Sequence, residues 1–288
     1  MQIGVIFPHN QIESDAGAIR SYVEAVSDLG FRHLSAYDHV IGGDPNILGE
    51  LGGPYTVDHT FHEPMTLLSW IAGFTKLTLA TEILIAPQRQ TVLIAKQAAQ
   101  IDILSGGGKF RLGMGVGWNK VEYDALGMPF ANRGRRLEEQ IALLRALWTQ
   151  RVVEFTGSSD SVHGAGIAPL PPTQPIPIWL GATLPPALER IGRVADGWFP
   201  RPLPGPKLDA ALQHIAKGAQ SAGRDPSTIG MESQVRIEGD FGAAAELIEQ
   251  WRLVGATHVS LDTIYEGRKG ADTHIKLLTK AANELGLA

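Results

Sequence analysis

The sequence contains no cysteine. That absence removes disulfides, thiolate zinc sites, iron–sulfur clusters and cysteine nucleophiles together, and it fits a reducing cytoplasm. Also missing is an apolar run of roughly 18 residues, the length needed to cross a membrane, so no membrane partner is expected. No basic segment followed by an apolar one opens the chain, so no export signal is expected. Basic blocks are absent too. Lys and Arg number 25 against 30 Asp and Glu, a formal net charge of −5, which argues against a nucleic-acid partner. There is no nucleophile elbow, Walker sequence or kinase motif set. His59, His62 and Glu63 lack the spacing of metal ligands, and no metal is expected.

What is present is an ordinary globular composition. Hydrophobic residues make up 44% and charged residues 19% of 288 residues, which excludes a disordered chain and allows a full core. Apolar runs read as strands at 3–7, 33–37, 77–85, 110–116, 177–180, 197–199, 230–237 and 258–262. A helical pattern follows each. In the first helix Ile19, Tyr22, Val23, Val26 and Leu29 share a face, Ser14 or Asp15 can cap it, and Gly30 can end it. Asn132 can cap the long helix before Trp148, and Thr183 the helix after the fifth strand. Eight strand–helix units in alternation predict an α/β fold, a single TIM (β/α)8 barrel. An open doubly wound sheet is the alternative. Two Gly/Pro-rich stretches, 41–62 after strand two and 152–174 between helix four and strand five, read as irregular loop insertions on one domain spanning 1–288.

In such a barrel chemistry sits at the C-terminal strand ends. Pro8-His9 and Asp262-Thr263 are there. Asp38-His39 ends strand two, where a histidine can move protons near neutral pH. Glu82 interrupts the apolar third strand beside Thr81 and Ile83. A buried acid is costly unless it is paired or belongs to a site. Gly113, Gly115 and Gly117 alternate on one face of strand four. They read either as a groove for a flat ring or as close backbone packing. Trp118 and Asn119 follow them. Gly181, Ala182 and Thr183 lead into a helix whose start would offer free N–H groups to a phosphate. The bland alternative is a tight turn with a Thr cap. Trp198 and Phe199 could wall a planar ligand or simply pack.

Taken together, these segments resemble the bacterial-luciferase-like superfamily of flavin- and deazaflavin-dependent oxidoreductases. The resemblance covers essentially the whole chain. It is carried by Ala36-Tyr37-Asp38-His39-Val40, Leu79-Ala80-Thr81-Glu82-Ile83-Leu84, Pro87-Gln88-Arg89-Gln90, and 112–119 with Glu122-Tyr123. Pro177-Ile178-Trp179-Leu180-Gly181-Ala182 and Ala195-Asp196-Gly197-Trp198 complete it. The branch that uses coenzyme F420 is the most similar.

The resemblance implies a tricyclic ring at the barrel mouth. His39 and Asp38 would lie beside it, and a non-prolyl cis peptide at Glu82-Ile83 would bulge under it. Gly181, Ala182 and Thr183 would hold the cofactor phosphate. His39 would give or take a proton, Asp38 would orient the loop and bond the ring edge, and Glu82 would contact the substrate or tune the ring. Thr81, Gly115, Gly117, Trp118, Asn119 and Trp198 complete the expected cofactor site. A basic groove at Arg89, Arg201 or Lys207 would suit the anionic F420 tail. The sugar-phosphate dehydrogenase branch has a catalytic glutamate where this chain has Trp118, so a sugar phosphate is not expected. The implied activity is hydride transfer between coenzyme F420 and a small organic substrate. The alternatives are a two-component monooxygenase using reduced FMN and a cofactor-binding protein without turnover. The family habit also implies a homodimer or higher oligomer, and a separate reductase as partner.

Overall fold

The computed structural model describes all residues except Glu13, Gly239, Asp240, Glu266 and Ala288. β1 (Gln2–Ile6) leads through α1 (Ala16–Asp28) to β2 (His33–Ala36). α1 forms because Ile19, Tyr22, Val23 and Val26 bury one face, while Asp15 accepts from the N–H of Ala18 as its cap. A long loop then carries a single helical turn, α2 (Pro45–Leu48), and is followed by α3 (Pro64–Ala72), capped by Glu63. β3 (Thr78–Thr81), β4 (Leu84–Ile85) and α4 (Thr91–Leu104) come next. β5 (Phe110–Gly115), α5 (Lys120–Ala125) and α6 (Arg133–Thr149) follow. A hairpin of β6 (Val153–Thr156) and β7 (Ser161–Ala165) precedes β8 (Ile178–Gly181) and α7 (Pro185–Val194). The chain continues through β9 (Gly197–Phe199), α8 (Pro206–Ser221), β10 (Gly230–Arg236) and α9 (Phe241–Leu253). It then adds β11 (His258–Asp262) and α10 (Ala271–Leu285).

The sheet runs β1–β2–β3–β5–β8–β9–β10–β11 and returns to β1, with every pair parallel. This is the closed eight-stranded barrel that the alternation predicts, and it displaces the open-sheet alternative. Apolar side chains fill the layer between strands and helices. The barrel axis is more polar. Glu232, Gln234 and Arg236 stand two residues apart on β10 and so share a face. Fully buried Glu232 accepts from Arg111 Nη1 at 2.6 Å and from Ser260 Oγ at 2.7 Å, and it lies 2.8 Å from His33 Nε2. Burial opposes its charge, but Arg111 and His33 outweigh that and hold its carboxyl far below the usual range.

Several local expectations need correction. The third strand is not one run: it breaks at Glu82-Ile83 into β3 and β4. The stretch at 152–174 is not irregular throughout, because β6 and β7 pair antiparallel within it. Glu139 secures their turn by accepting from the N–H groups of Ser158, Ser159 and Asp160 at 2.7–2.8 Å. Burial opposes its charge slightly, but these bonds lower its carboxyl to about 2. Asn132 stands at the start of α6 but makes no side-chain capping bond. Thr183 does not cap α7 either: the cap position is Leu184, and Pro185 and Pro186 open the helix. Those prolines have no N–H to offer, so the expected donors from the first helical turn are missing.

Candidate active site at the barrel mouth

Strand direction places the C-terminal ends of β2, β3, β5, β8, β9 and β10 around one opening. The Glu82-Ile83 peptide there is cis. The three glycines of the β5 segment face this break. A Cβ on Gly113 would lie 1.8 Å from the carbonyl oxygen of Thr81. One on Gly115 would meet Ile83 at 2.5 Å, and one on Gly117 would meet Ile85 at 2.8 Å. The neighbouring strand segment packs closely on these glycines, while Gly115 and Gly117 also border the cavities described below.

His39 sits just beyond β2. Its Nδ1 lies 2.9 Å from Glu122 Oε1, and Glu122 Oε2 accepts from Gln88 Nε2 at 3.0 Å. The N–H of Val40 also donates to Glu122. Burial works against the Glu122 charge, but the bonds from His39 and Gln88 prevail and keep the carboxyl below its ordinary value. Tyr55, Phe61 and Trp118 surround the imidazole, with ring centroids 4.7–5.7 Å away. With Nδ1 held by a carboxylate, Nε2 is the nitrogen left for proton transfer.

Asp38 is buried behind His39. Its Oδ2 accepts from the N–H of Ile85 at 2.9 Å, and its Oδ1 from Arg89 Nη2 at 2.7 Å. Burial raises its carboxyl despite Arg89. Both oxygens are thus engaged with protein, which fits a role in holding β4 better than a bond to a ring edge. Arg89 also binds Glu63 at 2.8 Å, so it is a half-buried clamp committed to two carboxylates, and not part of a basic groove. His9, fully buried, contacts Phe61 and His62. Burial lowers its imidazole to about 3, so it serves as a neutral support.

Glu82 points into the mouth. It is 5% exposed. Oε1 accepts from Gln234 Nε2 at 2.9 Å, while Oε2 has no hydrogen-bond partner among the described residues. Burial, and then the charge of Glu232 below it, push the carboxyl up to about 8, against the opposing pull of Gln234, Ser35 and Arg111. Glu82 therefore keeps its proton to a higher pH than an ordinary carboxyl.

Two adjoining cavities share Ile83, Gly117, Trp118 and Arg201. The first, about 170 Å³, reaches His39, Tyr55, Glu82 and Gln234. The second, about 290 Å³, is mostly apolar and runs along Val116, Leu180, Ala182 and Thr183 to Arg190. The N–H groups of Thr183 and Leu184 donate to no backbone carbonyl among the described residues. Gly115, Gly181, Ala182 and Thr183 thus line the second cavity as the sequence suggests, with loop N–H groups replacing those of the helix. Asn119 caps α5 and borders a third opening beside His39.

Three expected residues are not brought here. Trp198 is 1% exposed, donates to the carbonyl of Ala182 at 3.2 Å, and borders a separate cavity under α8. Thr81 is buried with its hydroxyl bonded to Gly113 at 2.7 Å. Lys207 lies on α8 and lines none of these cavities. His59 bonds Thr56, and Glu63 caps α3.

Residues not anticipated as functional are Glu122, Gln88, Tyr55, Phe61, Gln234 and Arg236. A signal was available for four of them: Gln88 and Glu122 stand in segments that carry the family resemblance, and Gln234 and Arg236 alternate with Glu232 on a strand that must be buried.

Comparison with known proteins gives a consistent picture. Residues 1–269 match the family model described as luciferase-like monooxygenase. An F420-dependent hydroxymycolic acid dehydrogenase of Mycobacterium tuberculosis is 30% identical over 87% of this chain and 66% of its own length. An F420-dependent glucose-6-phosphate dehydrogenase of Intrasporangium calvum is 29% identical over 68% of this chain and 62% of its own. The matched region therefore spans less than two thirds of the length of these relatives. Among solved structures, monooxygenase RslO1 from Streptomyces bottropensis superposes with a TM-score of 0.78 at 18% identity, covering 99% of this chain and 98% of that one. An F420-dependent secondary alcohol dehydrogenase, in complex with an F420-acetone adduct, gives 0.74 at 15% identity over 97% of both chains. At such identities the superpositions speak for the fold.

Proposed function

We propose that this chain, which belongs to the luciferase-like monooxygenase family, is an oxidoreductase that uses coenzyme F420 to transfer a hydride to or from a small organic substrate. The observation that carries this reading is the apolar channel along Ile83 and Trp118. It adjoins the His39 cavity on one side and free backbone N–H groups at Thr183 and Leu184 on the other. A planar ring fits the apolar part. Thr183, Leu184 and Arg190 suit the anionic side chain of the coenzyme. The F420-dependent relatives support the choice of cofactor.

When bound, the coenzyme supplies the hydride acceptor or donor at C5 of the deazaflavin. The chain supplies position and protons. His39 Nε2 gives or takes the accompanying proton while Glu122 holds Nδ1 and steadies the imidazolium. Asp38 acts as a positioning residue through Ile85 and Arg89. Glu82, whose burial favours its protonated form, turns its unpartnered oxygen to the substrate side of the mouth, with Gln234 fixing the other. Trp118, Tyr55 and Phe61 exclude water around His39. Exposed Trp70, Val92 and Leu93 on α3 and α4 support a homo-oligomer. Renewal of reduced coenzyme falls to a separate reductase, in a cytoplasmic setting.

The test is an anaerobic titration with oxidised and reduced coenzyme F420 and with FMN, followed by ring absorbance and fluorescence. Micromolar or tighter deazaflavin binding with weak FMN binding is expected. Preference for reduced FMN replaces this reading with an oxygen-using monooxygenase. Failure of both to bind removes the oxidoreductase reading and leaves the barrel.

A further inference from the structure

Charges at the mouth are matched, with one exception. Asp38 pairs with Arg89, which also holds Glu63. Asp262 pairs with Arg236 at 3.3 Å. Arg190 is bonded to Glu138 at 3.1 Å. Glu82 is buried against the neutral amide of Gln234. Arg201 has neither an ion pair nor a hydrogen bond among the described residues. Yet it borders three cavities at once: the one at His39, the apolar one at Thr183, and a small one between Glu82 and Phe199.

Its backbone is also unusually restricted. Arg201 stands just past β9 between Pro200 and Pro202. Each proline fixes its own φ, and Pro202 keeps Arg201 out of the helical region. The backbone that carries this exposed arginine is thus held at the mouth. Arg236 lines the same cavity and adds positive potential, though its hydrogen bonds go to Asp262.

Building on the oxidoreductase reading, we infer that the substrate is a small carboxylate, with its anionic group on the Arg201 guanidinium and the rest of the molecule against Glu82 and Gln234. A single planar fork matches a single carboxylate. A phosphate dianion would call for a second uncommitted cation, and this cavity has none among its described residues. Burial of Glu82, which favours its protonated form, suits the same ligand, since a charged Glu82 would repel it.

The experiment uses the full chain, with and without bound coenzyme F420. Short oxo acids of graded length, beginning with 4-oxopentanoate, are compared with their methyl esters by quenching of tryptophan fluorescence, for which Trp118 in the cavity wall is a reporter. In the wild type at least one acid is expected to bind about tenfold or more tighter than its ester, the scale of one charge-assisted contact. Arg201→Gln is expected to bring that acid down to the ester while leaving ester binding in place. Arg201→Lys should keep part of the preference. No acid preference anywhere in the set, or a preference that survives Arg201→Gln, overturns the inference. Loss of F420 binding in Arg201→Gln assigns the guanidinium to the coenzyme, which overturns the inference and leaves the oxidoreductase reading intact. Failure of the wild type to bind F420 removes that reading instead, while the acid–ester comparison on the coenzyme-free chain still judges Arg201.

Discussion

Two buried glutamates occupy one barrel and behave in opposite ways. Glu232, deep on the axis, has Arg111, His33 and Ser260 on its oxygens and is held far below the usual carboxylate range. Glu82, one level higher, has only Gln234 on one oxygen and is pushed up to about 8. Their burial is nearly the same. The partners differ, and the partners decide the charge state. The lower glutamate belongs to a satisfied structural cluster. The upper one is left incomplete at the point where a ligand would arrive, the pattern expected of a working site.

The comparison breaks most directly at Arg111. Arg111→Met leaves the Glu232 carboxylate buried with its main cation gone. A loss of about 3–5 kcal/mol in urea unfolding is expected; a loss near zero would mean that His33 suffices. Glu82→Gln comes next. The folded value of Glu82 lies above its ordinary 4.5, so the folded chain keeps a proton that the unfolded chain sheds. Wild-type stability relative to Glu82→Gln should therefore fall as pH rises from about 4.5 to about 8, then level off. The substitution should recover about 1–3 kcal/mol at pH 9. A flat difference across that window would show that Glu82 titrates normally. Glu232 tilts the other way: its contribution is present above 4.5 and is lost as pH falls toward its depressed folded value.

Gln234→Leu sharpens the contrast by removing the one partner Glu82 has. The expected cost is about 1 kcal/mol, with the Glu82 midpoint moved further up in a pH titration of stability. An unmoved midpoint would make the bond irrelevant to the charge state. The smallest effect is expected at Glu139, a carboxylate satisfied by backbone N–H groups near solvent. Glu139→Gln should cost less than about 1 kcal/mol once solvent screening is allowed for, read from thermal unfolding. A cost as large as that at Arg111 would mean that the hairpin turn, and not the barrel axis, governs cooperativity.

Much of this was legible in the sequence, and the failures have physical reasons. Apolar runs such as 3–7 and 258–262 pair as strands because their periodicity and burial agree. His39 could be found because strand ends gather at one mouth. Glu82 could be found because an acid inside an apolar strand demands an explanation. The pairing of Glu122 with His39 could not: it spans 83 positions of chain, a contact that no local spacing encodes. Trp198 was placed at the correct strand end but on the wrong side, since neighbouring strand residues face opposite ways. The Thr183 cap failed because Pro185 and Pro186 move the helix start past it. The glycines of 113–117 were open to two readings, because only the contacts of Ile83 and Ile85 on a neighbouring segment show how closely they pack.

The hydrogen bond between Glu82 and Gln234 also bears on how this barrel can diversify. A carboxyl and an amide of equal length face each other from two different strands, so the pair can be transposed. Exchanging them, with glutamine at 82 and glutamate at 234, keeps every heavy atom and the bond between the two side chains. It would move the ionisable group from the interrupted strand onto β10, two residues beyond Glu232 on the same face. Descendants of this barrel could thus carry their acid to the opposite wall of the mouth in two substitutions, with no change of volume.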